Sequence, residues 1–542
     1  MKKFKKVLPV LLCLFMLVGC GTTATNDEVA VESEAPVETN DNELVLGFGY
    51  EPDGGFDPIR GSGHYGTSLF QSALFKRDVD LKVVEDLATD YELDEDRTTY
   101  TVTLRDGVKW SDGSDLSVDD VVFTYNTAKT EGTATVDLSN LESVEAVDDH
   151  TVAFHLATPD ISFISKMVSL GIVPSKLYGE GYGENPVGTG PFEFVEWKKG
   201  EQLITKPNPY YYGEPVPFEK VTFLFLEPTQ ATVLAKMQGA DVIRIPVTDV
   251  NVEFDGYHLE TIKTMDNRGV TFPMPKRNGE VTGENTIVPG AVIGNDITSD
   301  LAVRKAFNIA IDRQAMIDGA LNGQGTSAYS ICDGTPWFNE EVMNFKDGDI
   351  EEANRILDEA GWVMGEDGVR SKDGLRAEMN LYYAYKDREN LALAFCETGK
   401  KIGFDLTPVY GEWSEIEPLM YSEMVLFGWG GYDPLELYYT YSSSMCGIDY
   451  YNPNYYSNKT VDAYLDAALQ SATLEEAYDN FKKAQWDGET GCSNLGDAPW
   501  VWMVNENHCY LVKDNLEIGR QKVQPHGGGW PMLDTIANWK RK

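Results

Sequence analysis

The feature that most constrains this chain is its long stretch of globular composition. About 500 residues follow the first 43, and no second long apolar run occurs after residue 20. A single hydrophobic core rarely organises more than roughly 250–300 residues. Hydrophobic residues make up 42% of the chain and aromatic residues 11%, which is enough apolar surface for several cores. We therefore predict two or more lobes.

The first twenty residues have the pattern of a bacterial lipoprotein signal. Four lysines within residues 2–6 precede the apolar stretch Val7–Val18, which is shorter than the ~20 residues needed to span a bilayer. The run Leu17–Cys20 resembles a lipobox. We predict cleavage before Cys20 and lipidation of its thiol, which would hold the protein on the outer face of the cell membrane, or in the periplasm if a second membrane exists. An ordinary signal peptide or a short anchor is the alternative.

Charge restricts the function further. Residues 20–43 are small and acidic and cannot bury enough apolar surface to fold, so we predict that they form a flexible tether. Over the whole chain 87 Asp and Glu oppose 45 Lys and Arg, a formal net charge of −42. This charge repels nucleic acid and anionic head groups. Nucleic-acid binding is therefore not expected, and a solvated surface on an exported protein is the simplest interpretation.

Cysteines and motifs give no sign of catalysis or of a resident metal. Cys13 leaves with the leader and Cys20 takes the lipid, so five thiols remain, and no CxxC spacing occurs. Cys492 and Cys509 could form a bridge, with buried free thiols as the alternative. No HExxH, Walker A or dinucleotide-binding motif occurs in a proper context, and no two histidines have i, i+4 spacing. We therefore predict no enzyme, no cofactor and no metal site.

Strand and helix patterns alternate along the chain. Residues 100–104 alternate as a strand, Asp106-Gly107 is a turn signal, and residues 108–110 are expected to return as the second half of a hairpin. A helix pattern follows Ser117, its expected N-cap. Further helix patterns lie at 303–310, 350–360 and 473–481, and further strand patterns at 144–156, 378–383, 404–410, 424–429 and 500–504. This mixture predicts an α/β body.

Several motifs resemble those of one known family. The segment from Tyr100 to Tyr125, YTVTLRDGVKWSDGSDLSVDDVVFTY, is similar to a signature of the family 5 solute-binding proteins, the peptide and nickel receptors of ABC importers. Other landmarks follow in family order, namely GTGPF at 188–192, NPYY at 208–211, GAD at 239–241, VRKAF at 303–307 with IDR at 311–313, and WGGYDP at 429–434. The resemblance covers essentially the whole mature chain.

The resemblance implies a periplasmic-binding-protein-like fold of type II, class C, in which two lobes joined by a hinge carry an extra α/β domain. Carried onto this sequence, it places the signal peptide at 1–19, the lipidated tether at 20–43, the first lobe at 44–76, 188–297 and 500–542, the extra domain at 77–187, and the second lobe at 298–499. The hinge is then expected at the chain crossings near 295–300 and 498–501.

Candidate ligand-binding residues come from loops at the lobe interface. The glycines at 430 and 431 break a strand and are expected to expose Trp429, Tyr432 and Asp433 to a pocket, although core packing is an equal alternative. His64 and Tyr65 lie in a glycine-rich loop that could face the cleft or the solvent. Arg244 could hold a ligand carboxylate or form a structural ion pair.

The same loop bears on the ligand. The peptide branch of the family usually carries an extra aspartate before the Asp-Pro of this loop, and that acid is missing at 430–432. The nickel branch uses arginines of the extra domain, and no arginine occurs between Lys129 and Lys176. A peptide or peptide-like solute is the leading expectation, and a nickel or metal-chelate receptor is the alternative.

The resemblance implies an extracytoplasmic receptor that works as a monomer. Its partners would be the permease and ATPase subunits of an ABC importer, and only its lipid would contact the membrane. An exported hydrolase and a sensor lipoprotein are the remote alternatives. Neither a nucleophile nor a general base can be named from the sequence.

The leader makes a direct prediction. Mass spectrometry of the mature N-terminus should find a diacylglyceryl thioether on Cys20. An unmodified Cys20, or cleavage at another bond, contradicts this assignment.

Overall fold

The computed structural model describes residues 41–63, 66–131, 136–283, 286–448, 450–527 and 530–542. Cys20, the leader and nearly all of the proposed tether lie outside these ranges. Two main sheets, a smaller inserted sheet and the helices packed on them make up the described body.

The first main sheet has seven strands. In spatial order they are Tyr257–Ile262, His508–Lys513, Val242–Ile245, Glu43–Gly47, Lys220–Leu224, Gln202–Pro207 and Phe192–Lys198. The strand Glu43–Gly47 runs parallel to both of its neighbours, and the remaining pairs are antiparallel. Leu44 and Leu46 are fully buried at alternate positions, the period of two that fixes which face of a strand enters the core.

The second main sheet has six strands. In spatial order they are Gly325–Ser327, Trp500–Glu506, Asn267–Thr271, Met424–Phe427, Glu378–Tyr383 and Asp405–Tyr410. The four strand patterns predicted between residues 378 and 504 all lie here, so those predictions are confirmed. Its core includes Phe307, which stacks on Phe395 at 5.2 Å between ring centroids and contacts Phe404 at 5.0 Å.

The chain passes between the two main sheets at two places. One crossing is residues 263–266, after the strand Tyr257–Ile262, and the other is Asn507, between the strands Trp500–Glu506 and His508–Lys513. The crossings expected near 295–300 and 498–501 are wrong. The strands Asn267–Thr271 and Trp500–Glu506 pair with each other in the second sheet, whereas the sequence-based division assigned both to the first lobe.

An insert with its own sheet lies, in chain order, between the strands Glu43–Gly47 and Phe192–Lys198 of the first main sheet. Its four strands are, in spatial order, Ala88–Leu93, Thr99–Leu104, Thr151–Leu156 and Leu141–Ala146. Thr99–Leu104 pairs with Ala88–Leu93 and Thr151–Leu156, so the hairpin expected with residues 108–110 is wrong. Gly107 does make a turn, with φ of 69°, but Lys109 forms only an isolated bridge to Asp115.

The helices cover the sheets. They are Val118–Glu131, Ile164–Ser169, Pro228–Lys236, Leu301–Ala310, Arg313–Ala320, Ile350–Glu359, Glu389–Lys401, Trp413–Ile416, Leu435–Tyr441, Lys459–Leu469 and Leu474–Gln485. Two small sheets have two strands each, namely Phe75–Arg77 with Val83–Glu85 and Leu516–Glu517 with Lys540–Arg541. A third has three strands, in the order Val363–Met364, Arg370–Lys372 and Leu375–Arg376. None of the helices in the described ranges is both long and apolar enough to cross a bilayer.

The cysteines of the described body are free thiols. Cys332, Cys396, Cys492 and Cys509 are buried, and Cys446 is half-buried. The bridge considered between Cys492 and Cys509 is therefore wrong. The two residues belong to different apolar clusters, because Cys509 packs on the first main sheet with Phe254 and Cys492 packs near Trp337.

The core around Phe307 yields a stability prediction. Replacing Phe307 by alanine should leave a cavity between Phe395 and Phe404, and should lower the free energy of unfolding by about 3–5 kcal/mol. Urea unfolding followed by circular dichroism measures this change. Leu393→Ala is the matched control, because Leu393 is 47% exposed and should change stability by no more than about 0.5 kcal/mol. Equal effects of the two substitutions would contradict this packing.

Candidate ligand-binding site

One cavity of about 160 Å³ collects side chains from three separate parts of the chain. The loop 428–433, the helix after it and Tyr451 form one wall, the insert forms the second, and Pro525 and His526 near the C-terminus form the third. The lining includes Arg77, Val136, Asp137, Ser165, Lys166, Val168, Ser169, Trp429, Tyr432, Asp433, Glu436, Tyr439, Tyr451 and His526. Charges of both signs and aromatic rings therefore meet in one small space.

The loop 428–433 is shaped by glycine. Gly430 has φ of 149°, and a Cβ at this position would overlap the backbone carbonyl of Met265, so only glycine allows the loop to pass this closely. Asn267 fixes the loop just before the turn: its Oδ1 accepts from the Trp429 backbone N–H at 2.9 Å, and its own N–H donates to the Trp429 carbonyl at 3.1 Å. These contacts place Trp429, Tyr432 and Asp433 on the cavity wall.

Aromatic rings line the cavity beside this loop. Tyr439 stacks on Tyr451 with centroids 4.4 Å apart, and Tyr451 stacks on Trp429 at 6.1 Å. The indole Nε1 of Trp429 is buried and has no hydrogen-bond partner within the described part of the chain. An unpartnered buried donor favours a ligand that brings an acceptor.

A buried ion pair joins the insert to the loop. Lys166 Nζ lies 2.9 Å from Asp433 Oδ2 and donates to the Tyr439 hydroxyl at 3.2 Å. The Tyr439 hydroxyl in turn donates to Asp137 Oδ2 at 3.0 Å. Burial alone would lower the pKa of Lys166, but Asp433, Tyr439 and Asp137 raise it well above its usual value. Lys166 is therefore a fixed positive charge, already balanced by Asp433.

Arg77 is a second buried cation on the insert side. It donates to the Leu81 carbonyl at 3.0 Å and to Ser165 Oγ at 3.2 Å, and its Nε has no partner. No carboxylate of the described residues pairs with it at ion-pair distance. Burial lowers the pKa of this guanidinium, yet an arginine remains charged at neutral pH. An anionic ligand group would supply the missing counter-charge.

Behind the cavity, a network of charged groups occupies the chain crossings between the two main sheets. Asp266 pairs with Arg268, contacts His526 Nδ1 at 2.5 Å and lies 3.4 Å from His508 Nε2. Burial alone would raise the pKa of Asp266, but Arg268 and the two histidines hold it well below its usual range. Burial lowers the pKa of His508 to about 4, so His508 is neutral at pH 7. His526 connects this network to the cavity, because its backbone N–H donates to the Gly430 carbonyl at 2.6 Å.

The predicted site residues are only partly brought together. Trp429, Tyr432 and Asp433 line the cavity, whereas His64 and Tyr65 lie outside the described residues. Arg244 lies on the strand Val242–Ile245, outside the cavity lining, and donates to the Gly527 carbonyl at 2.7 Å. We therefore do not propose Arg244 as a ligand anchor.

Sequence reasoning missed Arg77, Lys166 and Glu436. Arg77 precedes residues 129–176, the part of the insert in which no arginine occurs. Two signals were present in the sequence: Arg77 follows the buried Phe75 at strand spacing, and Lys166 is the single charge in the apolar run 161–168. A charge at a position that the pattern buries is a functional signal.

These features define a class of protein, a two-sheet binding fold with a ligand cavity beside the crossings between its sheets. The model of bacterial extracellular solute-binding proteins, family 5 middle region, matches residues 82–450. Protein XP55 of Streptomyces lividans is 32% identical over 520 residues, which cover 92% of this chain and 90% of that protein. The chain therefore belongs to the family 5 solute-binding proteins, as the motifs predicted, and has their α/β fold.

Two further relatives show the range of this family. The oligopeptide-binding protein AppA of Bacillus subtilis is 26% identical, with 95% of this chain and 96% of that protein covered. Among solved structures, NikZ from Campylobacter jejuni in complex with Ni(L-His) matches with a TM-score of 0.75 and 23% identity, covering 93% of this chain and all of that one. The two differ in the ligand they are named for.

The Lys166–Asp433 pair makes a prediction about stability. Asp433→Asn leaves Lys166 buried without its counter-charge and should lower the free energy of unfolding by about 3 kcal/mol. The double variant Lys166→Met, Asp433→Leu should recover most of that loss, because an apolar pair of similar volume avoids the desolvation of both charges.

Chemical denaturation of the wild-type protein and of these two variants measures the changes. Arg355→Met, which removes an exposed cation paired with Glu352 and Glu359, is the control and should leave stability essentially unchanged. A double variant less stable than Asp433→Asn would contradict a coupled pair.

Proposed function

We propose that this chain is the receptor of an ABC importer and that it binds a short peptide or peptide-like solute and passes it unchanged to a permease and its ATPase. It would be held to the outer face of the cell membrane by a lipid on Cys20, act as a monomer, and contain no resident cofactor. The family membership and the mixed charge of the cavity support this proposal.

The main support for this proposal is a set of cavity groups of different chemistry that have no partner among the described residues. Arg77 lacks a counter-ion among the described residues, Glu436 lacks one as well, and the Trp429 Nε1 donor has no partner there. A peptide brings a carboxylate, an ammonium group and carbonyl acceptors, which are the groups these side chains require. The rings of Tyr439 and Tyr451 would pack against its side chains.

The size of the cavity favours a short ligand. Its 160 Å³ is below the roughly 300–1,000 Å³ typical of drug-sized ligands. A dipeptide or tripeptide suits this volume better than a long oligopeptide does.

We further propose how the lobes are divided and how they move. The first lobe would comprise 44–76, 188–262 and 508–542, the second 267–506, and the extra domain 77–187. Bending at 263–266 and at Asn507 would open the cavity and close it around the ligand.

A metal chelate is the second candidate ligand. Arg77, which belongs to the extra domain and lines the cavity, is a cation of the kind that the nickel branch uses for chelator carboxylates. Metal analysis of natively purified protein and competition by nickel–histidine distinguish this candidate from a peptide.

Calorimetry with peptide pools tests the proposed function. Dipeptide and tripeptide pools should bind and compact the protein in small-angle scattering, and mass spectrometry should recover the peptides intact. Arg77→Gln should weaken binding of free peptides about tenfold or more, because it removes a charge-assisted hydrogen bond, but should not weaken binding of their C-terminal amides. Arg376→Gln, at a half-exposed surface position, is the control. Absence of heat for every pool, or cleaved peptides, contradicts the proposal.

A further inference from the structure

Glu436 is the acid of the cavity that the described residues leave without a counter-ion. It belongs to the helix Leu435–Tyr441, directly after the loop 428–433, and lines the cavity. Its carboxylate lies beside Gly431, whose backbone N–H lowers the pKa of the acid. No lysine, arginine or histidine of the described ranges forms an ion pair with it. Lys166 is the cavity cation that acts on it electrostatically, and Lys166 is itself paired with Asp433.

The position of this carboxylate is defined by Gly431. A Cβ built on Gly431 would overlap the Oε1 atom of Glu436, so the carboxylate occupies the space that a side chain at residue 431 would fill. Gly431 itself does not have a positive φ, and a larger residue is therefore compatible with its backbone. Glycine at 431 thus makes room for the acid that the next helix supplies.

We propose that Glu436 binds the amino group of the ligand, from the place where a side chain on residue 431 would otherwise stand. This inference rests on the proposed function and deepens it, because it selects ligands with a free amino terminus. Glu436 would thus supply, from the following helix, the acid that residues 430–432 lack.

Proton release should accompany binding. Burial raises the pKa of Glu436 to about 8; Asp433 acts in the same direction, while the Gly431 N–H and Lys166 oppose it. At pH 7 the carboxyl group of the empty cavity therefore holds its proton. An arriving ammonium group stabilises the carboxylate, and the displaced proton passes to the buffer. Each binding event should release close to one proton at pH 7.

Affinity for the ligand should therefore change with pH. Below pH 8 the protonated acid must ionise before it binds the ammonium group, so affinity should rise about tenfold from pH 6 to pH 7. Above pH 8 the ligand amino group, with a pKa of ~7.7–8.0, loses its own charge and affinity should fall. The other titratable groups facing this space are Arg77, Asp137, Lys166, Cys332, Tyr432, Asp433, Tyr439, Tyr451 and His526.

The experiment compares a pool of dipeptides and tripeptides with the same pool after N-acetylation. Calorimetry at pH 7 in phosphate and in Tris, whose ionisation enthalpies differ, counts the protons released. The free pool should bind wild-type protein at least about tenfold more tightly than the acetylated pool. Glu436→Gln should remove both the preference and the proton release, whereas Glu340→Gln, at an exposed site, should change neither.

A relocated acid provides a rescue. Glu436→Ala should lose the preference for a free amino group, and the double variant Glu436→Ala, Gly431→Asp should regain it, because the introduced carboxylate would refill the same space. If Glu436→Gln does not fold, the acetylation comparison and the proton count on wild-type protein decide the question alone.

The outcomes separate the two claims. Equal binding of free and acetylated pools, without proton release, overturns the role of Glu436 and leaves peptide binding intact. Failure of every pool to bind overturns the proposed function and this inference together.

Discussion

The two crossings between the main sheets are the constraint on which the rest of the structure depends. At these crossings, buried Asp266 holds Arg268 from the strand that begins the second sheet and His508 from the strand that resumes the first. A charge this deeply buried is tolerated only when it is paired and hydrogen-bonded. The network therefore ties the two crossings to each other and, through His526, to the loop 428–433.

The same network reaches the ligand cavity through one residue. His526 contacts Asp266 with its ring and Gly430 with its backbone N–H, so the loop that presents Trp429 is held against the crossings. A ligand that displaces this loop acts on the network as well. In the proposed hinge motion, binding and bending would share this set of contacts, which is what a closing receptor requires.

Sequence patterns predicted the elements better than their connections. The loop after Met424–Phe427 was identifiable because two glycines end an apolar strand. Arg77 and Lys166 were not identified, because they approach the loop from segments more than 260 residues away in the chain and no local periodicity encodes such proximity. The hairpin after Leu104 failed for a related reason: a turn signal fixes where a strand ends but not which strand becomes its partner.

The sequence around the crossing at Asn507 contains a local signal of its position. Residues 500–513 read WVWMVNENHCYLVK, an apolar run interrupted by four polar residues. Buried strands seldom carry four consecutive polar residues unless their side chains find partners, and three of these do. Asn505 Nδ2 donates to Asp333 Oδ2, Glu506 pairs with Arg268, and His508 contacts Asp266 and Gln524. The polar interruption marks the place where one strand leaves the second sheet and enters the first. A search for polar breaks within long apolar strands would therefore have located the crossing that motif positions alone misplaced.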